Sequence, residues 1–174
     1  LSKKERRKQL LQNRRSLRID TAGKTAVMDV NTFQKNAKLR TFFKRSFKSL
    51  QETKVKNLII DVRSNGGGNV MNSTLLTKYI INNKFKVADS LYAFTRRSRY
   101  GKYIESNFFN RFFMLFVTRK KADGNYHFGY FERHIFKPKK KNHFDGQVFI
   151  LIGGNSFSAT TLFTNAVIKQ ENVL

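Results

Sequence analysis

The stretch "IIDVRSNGGGNVMNS", residues 59–73, places three consecutive glycines between an apolar run and the start of a helical pattern. The apolar run, "NLIIDV" at residues 57–62, has the composition of a strand that is buried on both faces. Glycine at such a junction either lets the backbone turn sharply or lets another group approach the backbone closely. The first role is structural and the second is functional, and this stretch alone does not distinguish them.

A second stretch, "GQVFILIGGNSFSATTLF" at residues 146–163, has the same order of apolar strand, glycine-containing turn and helix. It predicts a strand at 146–154 and a helix from Ser158 to Gln170. If the two strands are neighbours in a parallel sheet, both turns emerge at the same edge. Open α/β folds usually bind their ligands at that edge.

The rest of the chain continues this alternation. Before the glycines, the predicted elements are a helix over 3–15, two strands within 16–33 around a turn at Ala22-Gly23, a helix over about 36–51 and the strand at 57–62. After the glycines comes a helix with Met71, Leu75, Leu76, Tyr79 and Ile80 on one face. A strand at 91–95 follows, and then the strand and helix of the second stretch. This order predicts an α/β domain whose core strands pair largely in parallel.

The length of 174 residues suits one domain with a core and is short for two. We therefore predict a single domain over residues 1–174. The aromatic and basic region at about 98–142 is predicted to be an insertion, with a helix around 105–117 and a hairpin around 124–136. Because an apolar segment begins at "ENVL", residues 171–174, we expect the domain to be incomplete and to continue in a longer protein.

The formal net charge is +24, from 35 basic and 11 acidic residues, which favours anionic partners. The basic residues are scattered in short runs that form no recognised nucleic-acid motif, so we expect a solvated surface or an acidic envelope environment and no specific nucleic-acid partner. The chain has no cysteine, which excludes disulfides and cysteine metal sites. The uncharged stretch 146–168 holds too many polar residues for a transmembrane segment.

Phosphate and metal motifs fail on their spacing. A P-loop ending at the Gly-Lys-Thr of residues 23–25 would need glycine where Arg18 stands. The dinucleotide fingerprint that starts at Gly66 would need glycine at Met71. The three histidines, His127, His134 and His143, match no metal-ligand spacing, and we expect each to be a surface or packing residue.

The serine-containing turn permits a catalytic interpretation. A serine that begins a helix lies at the positive end of the helix dipole, and the next amide N–H points the same way. A glycine turn nearby could offer a second N–H, and two such donors near a serine hydroxyl form an oxyanion hole, which contributes strongly to acyl transfer. The structural alternative is that Ser158 or Ser156 is a helix N-cap and that the glycines make a sharp turn.

Three motifs carry a family resemblance. "NLIIDVRSNGGGNV" (57–70), followed later by the 146–163 stretch, resembles the C-terminal-processing (tail-specific) serine peptidases, which include relatives of the tricorn core. "GKTAVMDVNTF" (23–33) is similar to the strand that opens the catalytic domain of that family. The likeness covers residues 23–90 and 146–174 and is poor between them.

The resemblance implies a fold like the crotonase and Clp-protease core, built from β-β-α units with a mainly parallel central sheet. It also implies that Ser158, in the "FSA" position, is the nucleophile. The backbone N–H of Ala159 and one from Gly66 or Gly67 would then form the oxyanion hole. The implied activity is endopeptidase cleavage through an acyl-enzyme at Ser158.

By the same resemblance, the substrate is a peptide or protein, held as an extended or C-terminal segment along a sheet edge. Asp61 and Arg63 brace the glycine turn through a buried ion pair or hydrogen bonds, and Ser156 is a capping or neighbouring residue. No metal or organic cofactor is implied. The implied location is the bacterial periplasm, the cell envelope or the outside of the cell.

The general base is not identifiable in this chain, although a serine is a weak nucleophile without one. No Gly-x-Ser-x-Gly elbow surrounds Ser158, so an α/β-hydrolase is not supported. The resembled family takes its base from a lysine about two dozen residues beyond the serine, or from a histidine in an earlier segment; these positions fall past Leu174 or before Leu1. Lys169 would lie roughly 16 Å along the helix from Ser158. We therefore expect these 174 residues to lack a full catalytic set.

Two other functions stay open. A non-catalytic member of the same fold could bind peptides or apolar ligands, which suits the aromatic-rich "ESNFFNRFFMLFV" at 105–117. A nucleic-acid or acidic-surface binder driven by charge would lose affinity steeply with salt.

Overall fold

The structure of the chain is a computed structural model that describes residues 1–96, 99–100, 103, 115–168 and 170–174. Its strands are β1 (Arg15–Asp20), β2 (Thr25–Val30), β3 (Asn57–Asp61), β4 (Tyr92–Ala93), β5 (Arg119–Lys120), β6 (Tyr126–His127) and β7 (Gln147–Leu151). Its helices are α1 (Lys3–Arg14), α2 (Leu39–Glu52), α3 (Val70–Ile80), α4 (Gly129–Arg133) and α5 (Ala159–Val167). These elements belong to two units: the larger unit comprises Leu1–Phe85 and Phe136–Leu174, and the smaller unit comprises Lys86–Ile135.

The main sheet lies in the larger unit and has the strand order β1-β2-β3-β7. β1 and β2 form an antiparallel hairpin, whereas β2, β3 and β7 run parallel to one another. Asp29 pairs with Asp61, and Asp61 pairs with Leu151, so the carboxyl ends of the three parallel strands meet at one edge. The predicted α/β class with a mainly parallel sheet is confirmed.

Periodicity in the sequence explains which side chains form the core of the larger unit. Every second residue of β2 is buried, and α2 buries positions spaced by three or four residues, as expected for one face of each element. The buried apolar side chains of these two elements are Ala26, Met28, Val30, Leu39, Phe43, Phe47 and Leu50. Phe47 stacks on Tyr79 of α3 with ring centroids 4.4 Å apart, which joins α2 to α3.

Two predictions about burial were wrong. β3 buries Leu58 and Ile60 but leaves Ile59 half-buried, so only one of its faces belongs to the core. In α3, Met71 was predicted on the apolar face but is 47% exposed. α3 contacts both α2 and α5, and its buried residues include the small polar side chains of Ser73 and Thr74.

The smaller unit contains a three-stranded sheet in the order β4-β6-β5, with both pairs antiparallel. The predicted turn at Asp123-Gly124 is present, since the Gly124 N–H donates to Lys121 O over 3.0 Å with Gly124 at φ 82°. The predicted hairpin bounds of 124–136 were wrong, because the strands lie on both sides of this turn and residues after Phe128 form α4. Of the helix predicted at 105–117, the structure describes only residues 115–117, which are helical.

Across the described ranges, no helix is both long enough and apolar enough to cross a bilayer.

Candidate active site

The glycine bend (Gly66–Gly68) and the serine turn (residues 152–158) meet at the carboxyl edge of the main sheet. β3 and β7 deliver them there as parallel neighbours, and the Val62 N–H still donates to Leu151 O over 2.9 Å beyond the end of β3. Asn69 then starts α3, because its side-chain oxygen accepts the Met71 N–H over 2.8 Å as an N-cap. The sheet topology therefore brings together two segments that lie about 90 residues apart in the chain.

Gly67 forms the contact between the bend and the turn. It has φ 99°, a conformation that side chains disfavour. A Cβ atom at this position would lie 2.7 Å from Phe157 O and 2.8 Å from Ser158 Cβ. Glycine is therefore required both for the backbone conformation and for the close approach of the serine turn.

The other two glycines have different surroundings. Gly68 has φ 136°, and a Cβ there would lie 2.5 Å from Gln34 N, where the bend packs against the segment after β2. The Phe33 N–H also donates to Gly67 O over 2.8 Å, which fixes that segment to the bend. A Cβ at Gly66 would meet no atom within 4 Å, so Gly66 faces open space.

Ser158 occupies the N-cap position directly before α5, but its side chain does not cap the helix. Its backbone has φ 57° and ψ −119°, a region that costs a non-glycine residue about 1–3 kcal/mol. Its side chain is exposed and makes no capping hydrogen bond. Strained residues with free side chains at a strand-to-helix turn are typical of catalytic nucleophiles. Ser158 therefore has the position of an N-cap but does not make the side-chain hydrogen bond of one.

Ser156 has a structural role in the serine turn. Its hydroxyl donates to Val62 O over 2.8 Å and accepts the Gly153 N–H over 3.1 Å. The first bond ties the turn to the end of β3, and the second lies within the turn itself. They also leave Ser156 Oγ engaged, in contrast to the hydroxyl of Ser158.

The three amides of the predicted oxyanion hole are not equivalent. The Gly67 N–H donates to the Asn65 side-chain oxygen over 2.9 Å. The amides of Gly66 and Ala159 form no hydrogen bond with the described part of the chain. Ala159 N would lie 3.1 Å from a Cβ placed on Gly67, so this free amide borders the glycine bend.

Asp61 and Arg63 form a forked pair beside the bend. Arg63 Nη2 lies 2.6 Å from Asp61 Oδ2, and the Arg63 backbone N–H donates to Asp61 Oδ1 over 3.0 Å. The guanidinium hydrogen bonds hold the pKa of Asp61 below its usual value, although partial burial of the carboxyl opposes this. Because the Arg63 side chain is 62% exposed, the pair is not the buried one that was expected.

No general base is found in contact with Ser158 among the residues that the structure describes. His127 is the more buried of the two histidines in the smaller unit, and its ring is hydrogen-bonded to Asp123 and Glu132. Lys169 lies outside the described residues. Within the described ranges, no group of three side chains is arranged to hold a metal ion.

Sequence reasoning missed two buried polar residues at this edge, Asn65 and Thr160, both fully buried. Asn65 stands directly before the glycines and donates from Nδ2 to Val30 O over 2.8 Å. An asparagine beside a glycine turn indicates turn chemistry, but it does not reveal which distant groups the side chain binds. Thr160 carried no signal, since threonine near a helix start is common.

Several solved structures share the fold. A putative peptidase from Parabacteroides merdae aligns over 99% of this chain and 47% of its own, with 17% identity and a TM-score of 0.58. The photosystem II D1 C-terminal processing protease aligns over 86% of this chain and 29% of its own, with 15% identity and a TM-score of 0.55. Mature CPAF complexed with lactacystin aligns over 86% of this chain and 37% of its own, with 13% identity and a TM-score of 0.62.

These structures establish the fold, and the chain spans less than half the length of each of them. No curated protein matches the chain. Residues 24–173 match the sequence model of peptidase family S41. The match includes both β3 with its glycine bend and β7 with the serine turn and α5. The chain therefore belongs to peptidase family S41.

Proposed function

We propose that this chain supplies the nucleophile and the oxyanion hole of a serine endopeptidase, with Ser158 as the nucleophile. The observation that carries the proposal is the contact between Gly67 and Ser158. There, a strained, exposed serine whose side chain makes no capping hydrogen bond lies against a glycine bend. A bend with any side chain at position 67 could not approach the serine so closely. Membership of a peptidase family agrees with this assignment.

In the proposed reaction, Ser158 Oγ attacks the carbonyl carbon of a peptide bond while a base removes the hydroxyl proton. The carbonyl oxygen becomes an oxyanion, which the Ala159 N–H and one N–H of the glycine bend stabilise. Return of the proton to the leaving nitrogen breaks the C–N bond and releases the amine, leaving an acyl ester on Ser158. Water then hydrolyses the ester and restores the hydroxyl.

Of the two glycine amides considered for the oxyanion hole, Gly66 is better suited than Gly67. The Gly67 N–H is already donated to Asn65 Oδ1, whereas the Gly66 N–H is free within the described residues. Gly66 is also exposed, and a Cβ placed on it would meet no atom within 4 Å. We therefore assign the second donor to Gly66, with Gly67 providing the close contact.

The base is assigned to a part of the peptidase outside these 174 residues. The aligned region covers 29–47% of the structural neighbours, which leaves room in them for a further catalytic residue. The substrate is a peptide or protein that binds as an extended or C-terminal segment beside the sheet edge. By family resemblance, the enzyme acts in the bacterial periplasm, at the cell envelope or outside the cell.

A fluorophosphonate probe tests the nucleophile in the full-length protein, because it phosphonylates only an activated serine and releases fluoride. We expect one label, located at Ser158 by peptide mass spectrometry, and loss of both labelling and peptide cleavage in Ser158→Ala. Ser64→Ala serves as the matched control, since Ser64 is another exposed serine near the same edge. It is expected to label like the wild type.

Cleavage that persists in Ser158→Ala would refute the assignment. An unlabelled wild-type protein that still binds peptides would favour the non-catalytic alternative. The aromatic segment that suited that alternative, residues 105–117, lies mostly outside the described residues.

A further inference from the structure

We propose that the backbone carbonyl of Asn65 and the hydroxyl of Thr160 hold Ser158 in its reactive conformation, which makes Asn65 and Thr160 positioning residues. This inference rests on the proposed function of Ser158. It adds two residues that the family motifs did not single out.

Ser158 needs restraint from its surroundings because its backbone conformation is unfavourable and its own side chain makes no capping bond. Groups on both sides of it supply that restraint. The Phe157 N–H, one residue before, donates to Asn65 O over 3.2 Å. The Thr160 hydroxyl, two residues after, donates to the same oxygen over 2.9 Å. One carbonyl thus clamps the chain on either side of the serine.

Asn65 is itself fixed by bonds on every polar group. Its Nδ2 donates to Val30 O over 2.8 Å, and its Oδ1 accepts the Gly67 N–H over 2.9 Å. Its backbone N–H donates to Val62 O over 3.0 Å. The residue that clamps the serine turn is therefore the same residue that shapes the glycine bend. This coupling sets the distance between the hydroxyl and the amides of the bend.

The bond made by Thr160 is unusual for a threonine in a helix. Helical Ser and Thr hydroxyls commonly bond to a carbonyl three or four residues earlier. Thr164, one turn further along α5, does so with Thr161 O over 3.0 Å, and Thr77 of α3 does so with Ser73 O over 3.1 Å. Thr160 instead bonds across 95 positions of sequence, in a fully buried position. The Thr160 hydroxyl therefore makes a tertiary hydrogen bond that positions α5, and not a local hydrogen bond within its own helix.

The test compares variants of the full-length peptidase for the rate of fluorophosphonate labelling, for kcat and KM on a peptide, and for Tm. Thr160→Val keeps the shape of the side chain but removes the donor. We expect labelling and kcat to fall by about 10- to 100-fold with little change in KM, because small misplacement of a reacting group costs about that much. Thr160→Ser restores the donor and is expected to recover most of the rate.

Thr164→Val is the matched control, since it removes a locally bonded and exposed hydroxyl from the same helix. It is expected to label at the wild-type rate. If Thr160→Val does not fold, the comparison of Thr160→Ser with Thr160→Ala isolates the same hydroxyl.

The positioning role is overturned if folded Thr160→Val is labelled and cleaves peptide as fast as Thr160→Ser. The same holds for folded Thr160→Ala in the second comparison. In either case the assignment of Ser158 as the nucleophile stands. A loss of Tm without any change in rate also overturns the positioning role, since it indicates a purely structural bond. If the wild-type protein shows no label at Ser158, the proposed function fails first and this inference fails with it.

Discussion

Three adjacent glycines, identical as residues, meet three different environments in the glycine bend. Gly67 combines a positive φ with contact to the serine turn, and Gly68 combines a positive φ with contact to the backbone after β2. Gly66 has neither constraint. The question raised by the glycine run is thus answered position by position: close approach at Gly67 and Gly68, and open space at Gly66.

Substitution by alanine should separate these roles. We expect Gly67→Ala to destabilise the fold by about 1–3 kcal/mol or more, because the new Cβ is strained and overlaps the serine turn. For a chain of this size each kcal/mol lowers Tm by about 2–4 °C. Gly66→Ala, the matched variant, should change stability by less than about 0.5 kcal/mol. Thermal unfolding followed by circular dichroism measures both, and equal losses would contradict the assigned environments.

At the scale of elements, β6 and α4 in the smaller unit are joined by a charged cluster around His127. Its Nε2 lies 2.8 Å from Asp123 Oδ2, and its Nδ1 lies 2.6 Å from Glu132 Oε1. Glu132 also accepts hydrogen bonds from Lys121 Nζ over 2.8 Å and from the Leu91 N–H over 2.9 Å. The hydrogen bond to Asp123, and then the one to Glu132, raises the pKa of His127.

The same contacts shift the carboxyl groups in the opposite direction. The hydrogen bond from His127 lowers the pKa of Asp123 to about 2, and the hydrogen bond from Lys121 lowers that of Glu132 to about 2. The two carboxylates therefore stabilise the fold at pH values above their ordinary pKa values of 3.8 and 4.5. This contribution is lost as the pH falls towards 2. The imidazolium of His127 stabilises the fold at pH values below its ordinary pKa of 6.5. This contribution is lost as the pH rises through the raised pKa.

We accordingly predict that the smaller unit is most stable between about pH 4.5 and 6.5. Amide hydrogen exchange of the β6 strand, measured across pH and corrected for intrinsic rates, should show its highest protection in that window. His127→Gln should remove the loss of protection on the alkaline side. Protection that rises steadily from pH 6 to 9 in the wild type would contradict the cluster's role.

Over the whole molecule, positive charge far exceeds what the described ion pairs neutralise. The pairs of Lys or Arg with carboxylates in the described part of the larger unit are Arg18–Asp29, Lys48–Glu52 and Arg63–Asp61. Like charges also lie near one another, since the pKa of Arg15 is lowered by burial first and by the charge of Arg45 second. A net charge of +24 opposes the compact state through self-repulsion.

Salt should therefore stabilise this protein. Between about 0.1 M and 1 M sodium chloride the screening length falls from about 10 Å to about 3 Å, and we expect Tm to rise by several degrees. Replacing Lys44 and Arg45, two exposed cations of α2, with glutamate should reduce this dependence on salt. Sorbitol at matched osmolarity controls for effects unrelated to charge, and a Tm that falls with salt would refute the argument.

Local patterns in the sequence were sufficient for most of the elements of the larger unit. Alternating burial in β2, the spaced aromatic residues of α2 and the glycine and serine motifs each depend on neighbouring residues, so they can be read from the chain itself. The parallel adjacency of β3 and β7, and with it the meeting of the two turns at one edge, could only be assumed from the sequence, and the pairing of the two strands shows it. The hairpin bounds in the smaller unit could not be predicted, because contacts such as that of Glu132 with Leu91 are long-range.

The sequence by itself thus determined the α/β class through short-range periodicity. It indicated the family and the candidate nucleophile through motifs that resemble those of the tail-specific serine peptidases. Only the tertiary structure decided that Ser158 is strained and makes no side-chain capping bond, and that Gly67 contacts it while Gly66 is open. It also decided that Thr160 bonds to Asn65 across 95 positions. Those features arise from hydrogen bonds and close contacts between segments distant in the chain. Their geometry exists only once the strands have paired in register.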